Sequence, residues 1–356
     1  MLGKVICDIK PNPENKRNSE GTFIVLKNGD ILFAYSRFGA MGCQDNNDSD
    51  IYGLLSKDNG DTFSDPFPII THTQLQVDNL MSPTCMRMQN GDLGMFFCAK
   101  IRERHQAANY LIRSADEGKS WSDPVLCSEC GGYFVVLNDR VIRCADGRIL
   151  MPASKHQYIS DYEIREGYLN IFESKDDGYT WNKIVKDITI PLSGGCTTGI
   201  QEPGLLQLDE HTLWCFIRTD AGRQYECFSN DGGYTWTEPL PSRFTSSLSP
   251  MASKRLSDGR ILAIWNPIPL YNGRDVFFNG VWTCGRTPLV IAVSEDNGKT
   301  FKPHKNIETS EENGYCYTAI LETADNAVLL AYNAGGKEEG SANNKTRIRK
   351  IALSEL

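Results

Sequence analysis

The chain lacks any run of about 18 uninterrupted apolar residues, the length a membrane-crossing helix requires, and residues 1–13 carry no basic stretch followed by a long apolar one. With neither a span nor an export signal legible, the expectation is a cytoplasmic protein. Histidine is scarce, five in 356 residues, and none stands at zinc spacing from a cysteine pair. The lone CxxC, Cys127 and Cys130, has no second pair and reads as structural rather than metal-binding or redox-active. Neither a phosphate loop nor a dinucleotide fingerprint occurs, so no metal and no organic cofactor is implied. Positive charge is short as well: 37 Lys and Arg against 45 Asp and Glu leave a net charge of −8. That balance argues against nucleic acid or an anionic membrane as the main partner. A neutral or small acidic ligand can still meet local arginines.

What the chain does have is glycine (31), aromatic residues (15 Phe, 14 Tyr, 6 Trp) and charge mixed along its length, a composition suited to many short strands joined by tight turns. The twelve cysteines sit mostly singly in apolar runs such as Met95-Phe96-Phe97-Cys98, where a reduced thiol acts as a small hydrophobe.

The strongest signal is a repeat. The pattern S-x-D-x-G-x-[ST]-[WF] begins at Ser56, Ser114, Ser174, Ser229 and Ser294, and ends on Phe63, Trp121, Trp181, Trp236 and Phe301. Its chemistry is that of a turn. The aspartate accepts nearby backbone N–H groups, the glycine takes positive φ, and the aromatic ring plugs an apolar layer. A spacing near 60 residues holds four short antiparallel strands, the unit of a propeller blade. A second element, an apolar run broken by Asn28-Gly29-Asp30, Asn90-Gly91-Asp92, Asp146-Gly147-Arg148 or Asp258-Gly259-Arg260, marks hairpin turns between inner strands. The expectation is an all-β, six-bladed β-propeller with five such boxes, residues 1–356 forming one domain. Blade six has no box and is expected to close by pairing residues 346–353 with strands near the N-terminus, which removes open sheet edges.

A propeller gathers the starts of its inner strands round one axial opening, so polar residues there carry weight. Glu202 stands ahead of one inner strand, Arg218 ends the next strand, Arg286 precedes the run 288–293, and Tyr315 and Tyr317 precede the apolar run 319–321. Asn138-Asp139-Arg140, His156 and Met81-Ser82-Pro83 occupy comparable places. Trp265, Tyr271 and Trp282 are aromatic enough to stack on a sugar, though packing explains them equally well.

The order Glu, Arg, Arg, Tyr at these positions, with the five boxes, resembles the bacterial and animal exo-sialidases along the whole chain. In that family a glutamate polarises a tyrosine nucleophile, three arginines clamp the sugar's carboxylate, and an aspartate on an early loop is the acid/base. The resemblance implies Tyr317 as nucleophile, with Tyr315 as its neighbour and rival, Glu202 as its base, and Arg218 and Arg286 as the second and third clamp arginines. It implies Asp45 as acid/base, with Asp48 and Asp50 competing, and it suggests substrate contacts from Arg37, Arg140 and His156. The stretch expected to hold the first clamp arginine reads Ser19-Glu20-Gly21-Thr22-Phe23, so that arginine is expected to be missing. Tyr332-Asn333 likewise lacks the glutamate that steadies it in the family. The loss would fit a substrate with a differently placed acid group, or a clamp rebuilt from Arg37, Arg102 or Arg104. The expected activity is retaining exo-hydrolysis of a terminal sialic acid or related acidic sugar, the partner being a carbohydrate. The rivals are a non-catalytic carbohydrate-binding propeller, a protein-binding scaffold, and a trans-glycosylase or lyase on the same frame.

Overall fold

The computed structural model describes residues 1–101, 103, 105–160, 163–192, 196–271 and 273–356, and side chains are described throughout these except at 158–160 and 163–165. Among them are twenty-seven strands and almost no helix. After β1 (Lys4–Ile9), blade one is β2 (Arg17–Val25), β3 (Ile31–Phe38), β4 (Ser49–Ser56) and β5 (Phe67–Ile70). Blade two is β6 (Asn79–Arg87), β7 (Leu93–Ile101), β8 (Gln106–Ser114) and β9 (Val125–Leu126). Blade three has a broken inner strand, β10 (Tyr133–Val135) and β11 (Ile142–Arg143), followed by β12 (Ile149–Ser160), β13 (Glu163–Ser174) and β14 (Asn182–Ile188). Blade four is β15 (Gln201–Gln207), β16 (Leu213–Arg218), β17 (Arg223–Ser229) and β18 (Leu240–Thr245). Blade five is β19 (Ala252–Arg255), β20 (Ile261–Trp265), β23 (Leu289–Ser294) and β24 (Lys305–Glu308), with the small hairpin β21 (Phe277–Phe278) and β22 (Val281–Trp282) inserted midway. Blade six is β25 (Cys316–Thr323), β26 (Ala327–Asn333) and β27 (Thr346–Ala352), and β1 returns as its fourth strand, antiparallel to β27.

The ring is closed by packing. Six apolar clusters each draw on two neighbouring blades. Leu80 and Phe97 of blade two meet Ile51 of blade one, Phe96 meets Phe134 and Phe172 of blade three, and Ile171 meets Cys215 and Ile217 of blade four. Phe216 then meets Trp265 of blade five, Ile264 meets Ile320 and Leu330 of blade six, and Phe33 of blade one meets Leu329 and Ile348 of blade six.

Each box lies in the turn from the third to the fourth strand of blades one to five. In the first, Asp58 accepts from the Thr62 N–H (2.9 Å) and hydroxyl (2.5 Å), and the Ser56 hydroxyl accepts from the Gly60 N–H (2.8 Å). The same bonds recur around Asp116, Asp176, Asp231 and Asp296. Gly60 has φ of 85°, which a side chain rarely tolerates.

Four inner strands share one irregularity. The register of β2, β6, β15 and β25 slips at Glu20, at Ser82 and Pro83, at Glu202 and Pro203, and at Tyr317 and Thr318. Glu20, Ser82, Glu202 and Tyr317 all have φ between 45° and 59°, the left-handed region that non-glycine residues seldom adopt. A bulge of this kind leaves a residue out of the ladder and re-aims its side chain. Here all four side chains line one axial cavity.

Candidate active site

The cavity has a volume of about 260 Å³ at the end of the channel where the inner strands begin. Its floor is the segment before β11. Asn138 donates to the carbonyls of Gly21 (2.6 Å) and Tyr317 (3.3 Å), and Asp139 accepts from the Thr22 hydroxyl and the Ile320 N–H. One turn of blade three thereby ties blades one and six together across the axis.

Tyr317 and Glu202 face each other from blades six and four. The phenol oxygen lies 3.4 Å from Glu202 Oε1, and Arg218 donates through one nitrogen to Glu202 Oε2 (2.6 Å) and to the phenol (3.5 Å). Arg286, 1% exposed, has its guanidinium 5.2 Å from the Tyr317 ring centre and 5.1 Å from that of Trp282. It also donates to Asn343 Oδ1 (3.4 Å) and Cys316 Sγ (3.1 Å). Burial, reinforced by the Glu202 charge, drives the Tyr317 hydroxyl well above the usual phenol range. The unliganded tyrosine is therefore protonated, with Glu202 as the nearest carboxylate to receive that proton.

A third guanidinium, that of Arg17 at the first residue of β2, stands behind the cavity wall formed by Glu20 and Asp45. Arg17, 2% exposed, donates to Glu20 Oε1 (2.8 Å) and to Asp45 Oδ1 (2.5 Å) and acts electrostatically on Tyr317. Arg17 stands two residues before the stretch Ser19-Glu20-Gly21-Thr22-Phe23, which itself holds no arginine, and the bulge at Glu20 follows it. Asn333 carries no charge, and the carboxylates paired with Arg17 are those of Glu20 and Asp45.

Asp45 is the loop carboxylate that reaches the cavity. Its main-chain oxygen accepts from Asn79 (2.6 Å) and from the Lys100 ammonium (2.8 Å), which fixes the loop from blade two. Its side chain is itself largely exposed, and the Arg17 and Lys100 charges hold its carboxyl well below the usual range. Asp50 instead pairs with His72 (2.7 Å), and neither it nor Asp48, whose side chain packs against Gly39, lines the cavity. His156 does line it.

Three expected residues are not brought to the site. Tyr315 is 2% exposed, packed edge-on against Tyr332, and burial pushes its hydroxyl up to about 12. Arg37 lies over the Tyr52 ring (4.4 Å), because the end of β3 sends its side chain across β4. Arg140 follows the floor turn and points away from the sugar side. It stacks on Phe216 (5.0 Å), donates to the Met251 carbonyl (2.5 Å) and lines the cavity at the opposite mouth of the channel. Arg102 and Arg104 lie outside the described residues. Trp282 lines the site through the inserted hairpin, whereas Trp265 is core and Tyr271 is exposed.

Sequence reasoning missed Arg17, Glu20 and Lys100. Lys100 left a signal: it is the one charge within the apolar run of β7, and it is 7% exposed. With every group ionised, Arg17, Lys100, Arg218 and Arg286 exceed Glu20, Asp45 and Glu202 by one positive charge. Those that line the cavity itself balance at three against three, and Arg17 adds the surplus from behind its wall. Among the described residues, no group of three His, Cys, Asp or Glu could hold a metal ion.

A ring of six blades with five aspartate boxes, opening on a tyrosine, a glutamate and two arginines, is the architecture of the sialidase superfamily. Residues 38–330 match the BNR repeat-like domain family, and the chain belongs to it. It is 26% identical over 275 residues to the anhydrosialidase of Macrobdella decora, covering 70% of this chain and 33% of that protein. It is 26% identical over 238 residues to the sialidase of Bacteroides fragilis (strain YCH46), covering 65% and 40%. The chain thus spans well under half the length of these two relatives. The solved intramolecular trans-sialidase from Ruminococcus gnavus shares the fold, with a TM-score of 0.71 at 13% identity over 99% of this chain and 97% of that one.

Proposed function

We propose that this chain is a retaining exo-glycosidase of sialidase type that releases a terminal sialic acid or a related acidic sugar. The observation that carries this reading is the Tyr317 hydroxyl set 3.4 Å from Glu202, with Arg218 bridging both. A carboxylate nucleophile would repel an anionic sugar; a phenol does not, and sialidases use one. Arg218 and Arg286, which line the cavity side by side with Tyr317, suit one substrate carboxylate.

Attack by the phenol oxygen on the anomeric carbon transfers the phenol proton to Glu202, while Asp45 protonates the departing glycosidic oxygen. Water then attacks the tyrosyl-linked sugar, Asp45 takes its proton, and Tyr317 recovers its own from Glu202. Two inversions give retention. Asp45 in the free protein is an ionised partner of Arg17 and cannot donate a proton. Arrival of a substrate carboxylate near Arg17 adds a third anion to the two it already holds, Glu20 and Asp45, which raises the proton affinity of Asp45 at the moment an acid is needed.

A second reading, transfer of the sugar to its own hydroxyl in place of water, is favoured by the names of two relatives, an anhydrosialidase and an intramolecular trans-sialidase. The purely sugar-binding reading is the alternative that the following test separates from catalysis. The test is a panel of fluorogenic α-glycosides of sialic acids and related acidic sugars, with mass analysis of the products. Turnover reduced at least 100-fold in both Tyr317→Phe and Asp45→Asn is the expected result, and the product mass separates hydrolysis from internal transfer by one water. Sugar binding without turnover, unchanged in both variants, would return the chain to the lectin-like reading.

A further inference from the structure

The channel has a second mouth at the end away from Tyr317, and a cavity of about 640 Å³ opens there, within the usual size range of ligand pockets. The floor turn divides the two ends. Asn138 is bound to the Tyr317 carbonyl (3.3 Å), whereas the next two residues, Asp139 and Arg140, line the second cavity. Its other walls come from blades four and five, with Leu205 and Phe216 on one side and Lys254 and Arg255 on the other.

Arg140 gives this cavity its chemistry. Among the described residues five arginines are buried: Arg17, Arg113, Arg140, Arg286 and Arg349. Three of them meet a carboxylate, Arg17 at Glu20 (2.8 Å), Arg113 at Asp177 (3.6 Å) and Arg349 at Glu308 (2.8 Å). Arg286 and Arg140 have no such partner among the described residues. Arg286 lines the catalytic cavity, where the substrate carboxylate is to arrive. The Arg140 side chain donates to the Met251 carbonyl (2.5 Å) and stacks on Phe216 (5.0 Å), and its Nε is buried without a hydrogen-bond partner. Burial outweighs the Glu202 and Asp139 charges and brings its guanidinium down to about 10. A buried cation without a counter-ion is costly, and groups perturbed in this way gather at binding sites.

Two further cations stand at the same mouth. Lys254 donates to the Ile320 carbonyl (2.6 Å), and Arg255 donates to the Gln207 and Leu208 carbonyls (both 3.1 Å) and to Asn297 Oδ1 (2.6 Å), all neutral oxygens. Arg143 is answered by Asp177 (2.6 Å) and adds no free charge. The carboxylates of the cavity are engaged elsewhere. Asp139 accepts from the Thr22 hydroxyl (3.1 Å) and the Ile320 N–H (3.3 Å), and Asp209 accepts from the N–H groups of His211 and Thr212 in its own turn. Asp209 and Glu210 are also exposed at the rim, where water weakens their field. Among the buried and half-buried groups, Arg140, Lys254 and Arg255 less Asp139 leave two positive charges, roughly the charge of one phosphate monoester at neutral pH. The apolar walls at Val141, Leu205 and Phe216 leave room for an organic body beyond the phosphate.

We propose that this second mouth is a binding site for a phosphorylated small molecule, its phosphate held by Arg140, Lys254 and Arg255. The site is separate from the catalytic cavity and does not rest on the glycosidase reading. Because Arg140 also packs against the core, the test uses the double substitution Lys254→Met with Arg255→Gln, both half-buried residues. Arg218→Ala is the control for phosphate captured by the catalytic arginines. Inorganic phosphate, a hexose phosphate and the matching hexuronate are titrated into the full chain by calorimetry and phosphorus NMR. An unchanged circular dichroism spectrum qualifies each variant, and Lys254→Met alone serves if the double substitution does not fold. The expected result is saturable binding of the hexose phosphate at millimolar concentration, weakened about tenfold or more in the double variant and changed less than about twofold in Arg218→Ala. Inorganic phosphate is expected to compete for the same site. An unweakened double variant, or a loss in Arg218→Ala, would overturn the proposal. So would equal binding of the hexuronate, which carries a carboxylate in place of the phosphate, or no binding of the hexose phosphate to the unaltered protein.

Discussion

Arg17 holds two carboxylates at once while almost wholly excluded from water, which makes it the most constrained charge in the site. Its removal leaves Glu20 buried without a counter-ion and frees Asp45 from the cation that depresses it. Arg17→Ala is therefore expected to lower kcat/KM by about 100-fold or more, the scale of breaking a buried charged contact, with much of the loss in KM. The sign of the pH effect follows. Without Arg17 the Asp45 carboxyl titrates higher, so the basic limb of kcat/KM, which reports the acid in its protonated form, moves to higher pH. An unmoved limb would separate Asp45 from the acid role. Arg17→Lys keeps the charge but loses the fork that spans both carboxylates, and is expected to fall between the two. At this scale legibility was partial. Glu202, Arg218, Arg286 and Asp45 each stand at a strand end or in the loop before a box. Arg17 escaped because it stands two residues before the stretch from Ser19 to Phe23 where an arginine was expected, and the bulge at Glu20 shifts the register between them. Arg37 and Arg140 were credited for their position in sequence, although a neighbouring ring captured each side chain.

The boxes are the elements whose energetics are most open to test. Their hydroxyl and backbone donors hold the carboxylates below the ordinary aspartate range, Asp58, Asp231 and Asp296 to about 2. A carboxyl depressed by folding contributes stability that is fully present above its unfolded value, about 3.9, and is lost as pH falls through the folded one. Tm is thus expected to hold between pH 7 and 5 and to drop between pH 4 and 2. A triple Asn variant at these three positions is expected to melt lower at pH 7 and to lose less Tm over the acid interval. Parallel Tm profiles would contradict the assignment. The boxes and hairpin turns were legible because turn chemistry demands particular residues at fixed offsets. The inner-strand bulges were not: Ser19-Glu20-Gly21, Met81-Ser82-Pro83, Gln201-Glu202-Pro203 and Cys316-Tyr317-Thr318 share a backbone conformation and no common residue type.

As a whole molecule the propeller depends on its joint. The first strand completes the last blade, and Arg347 grips Asp8 through two contacts of 2.8 Å while Arg349 donates to the Leu2 carbonyl. Deleting residues 1–9 would expose the edge of β27 and unseat Asn18, which neighbours Arg17; a fall in Tm on the order of 10 °C or more is expected, with activity lost before the fold. A deletion that melts like the intact chain would show that the ring closes without β1. That blade count and closure could be read from sequence follows from repetition, since six similar units leave little freedom in how they stack. The site arises from what the repeats do not share, and so required the structure. The central claim is that Tyr317 attacks the sugar. It is tested most directly by incubating the protein with a 3-fluoro-sialosyl fluoride, which slows release of a covalent intermediate, and locating the adduct by peptide mass spectrometry. A single added sugar on the peptide containing Tyr317, absent in Tyr317→Phe, is the predicted result; turnover of sialosides with the adduct on another residue, or with none, would contradict it.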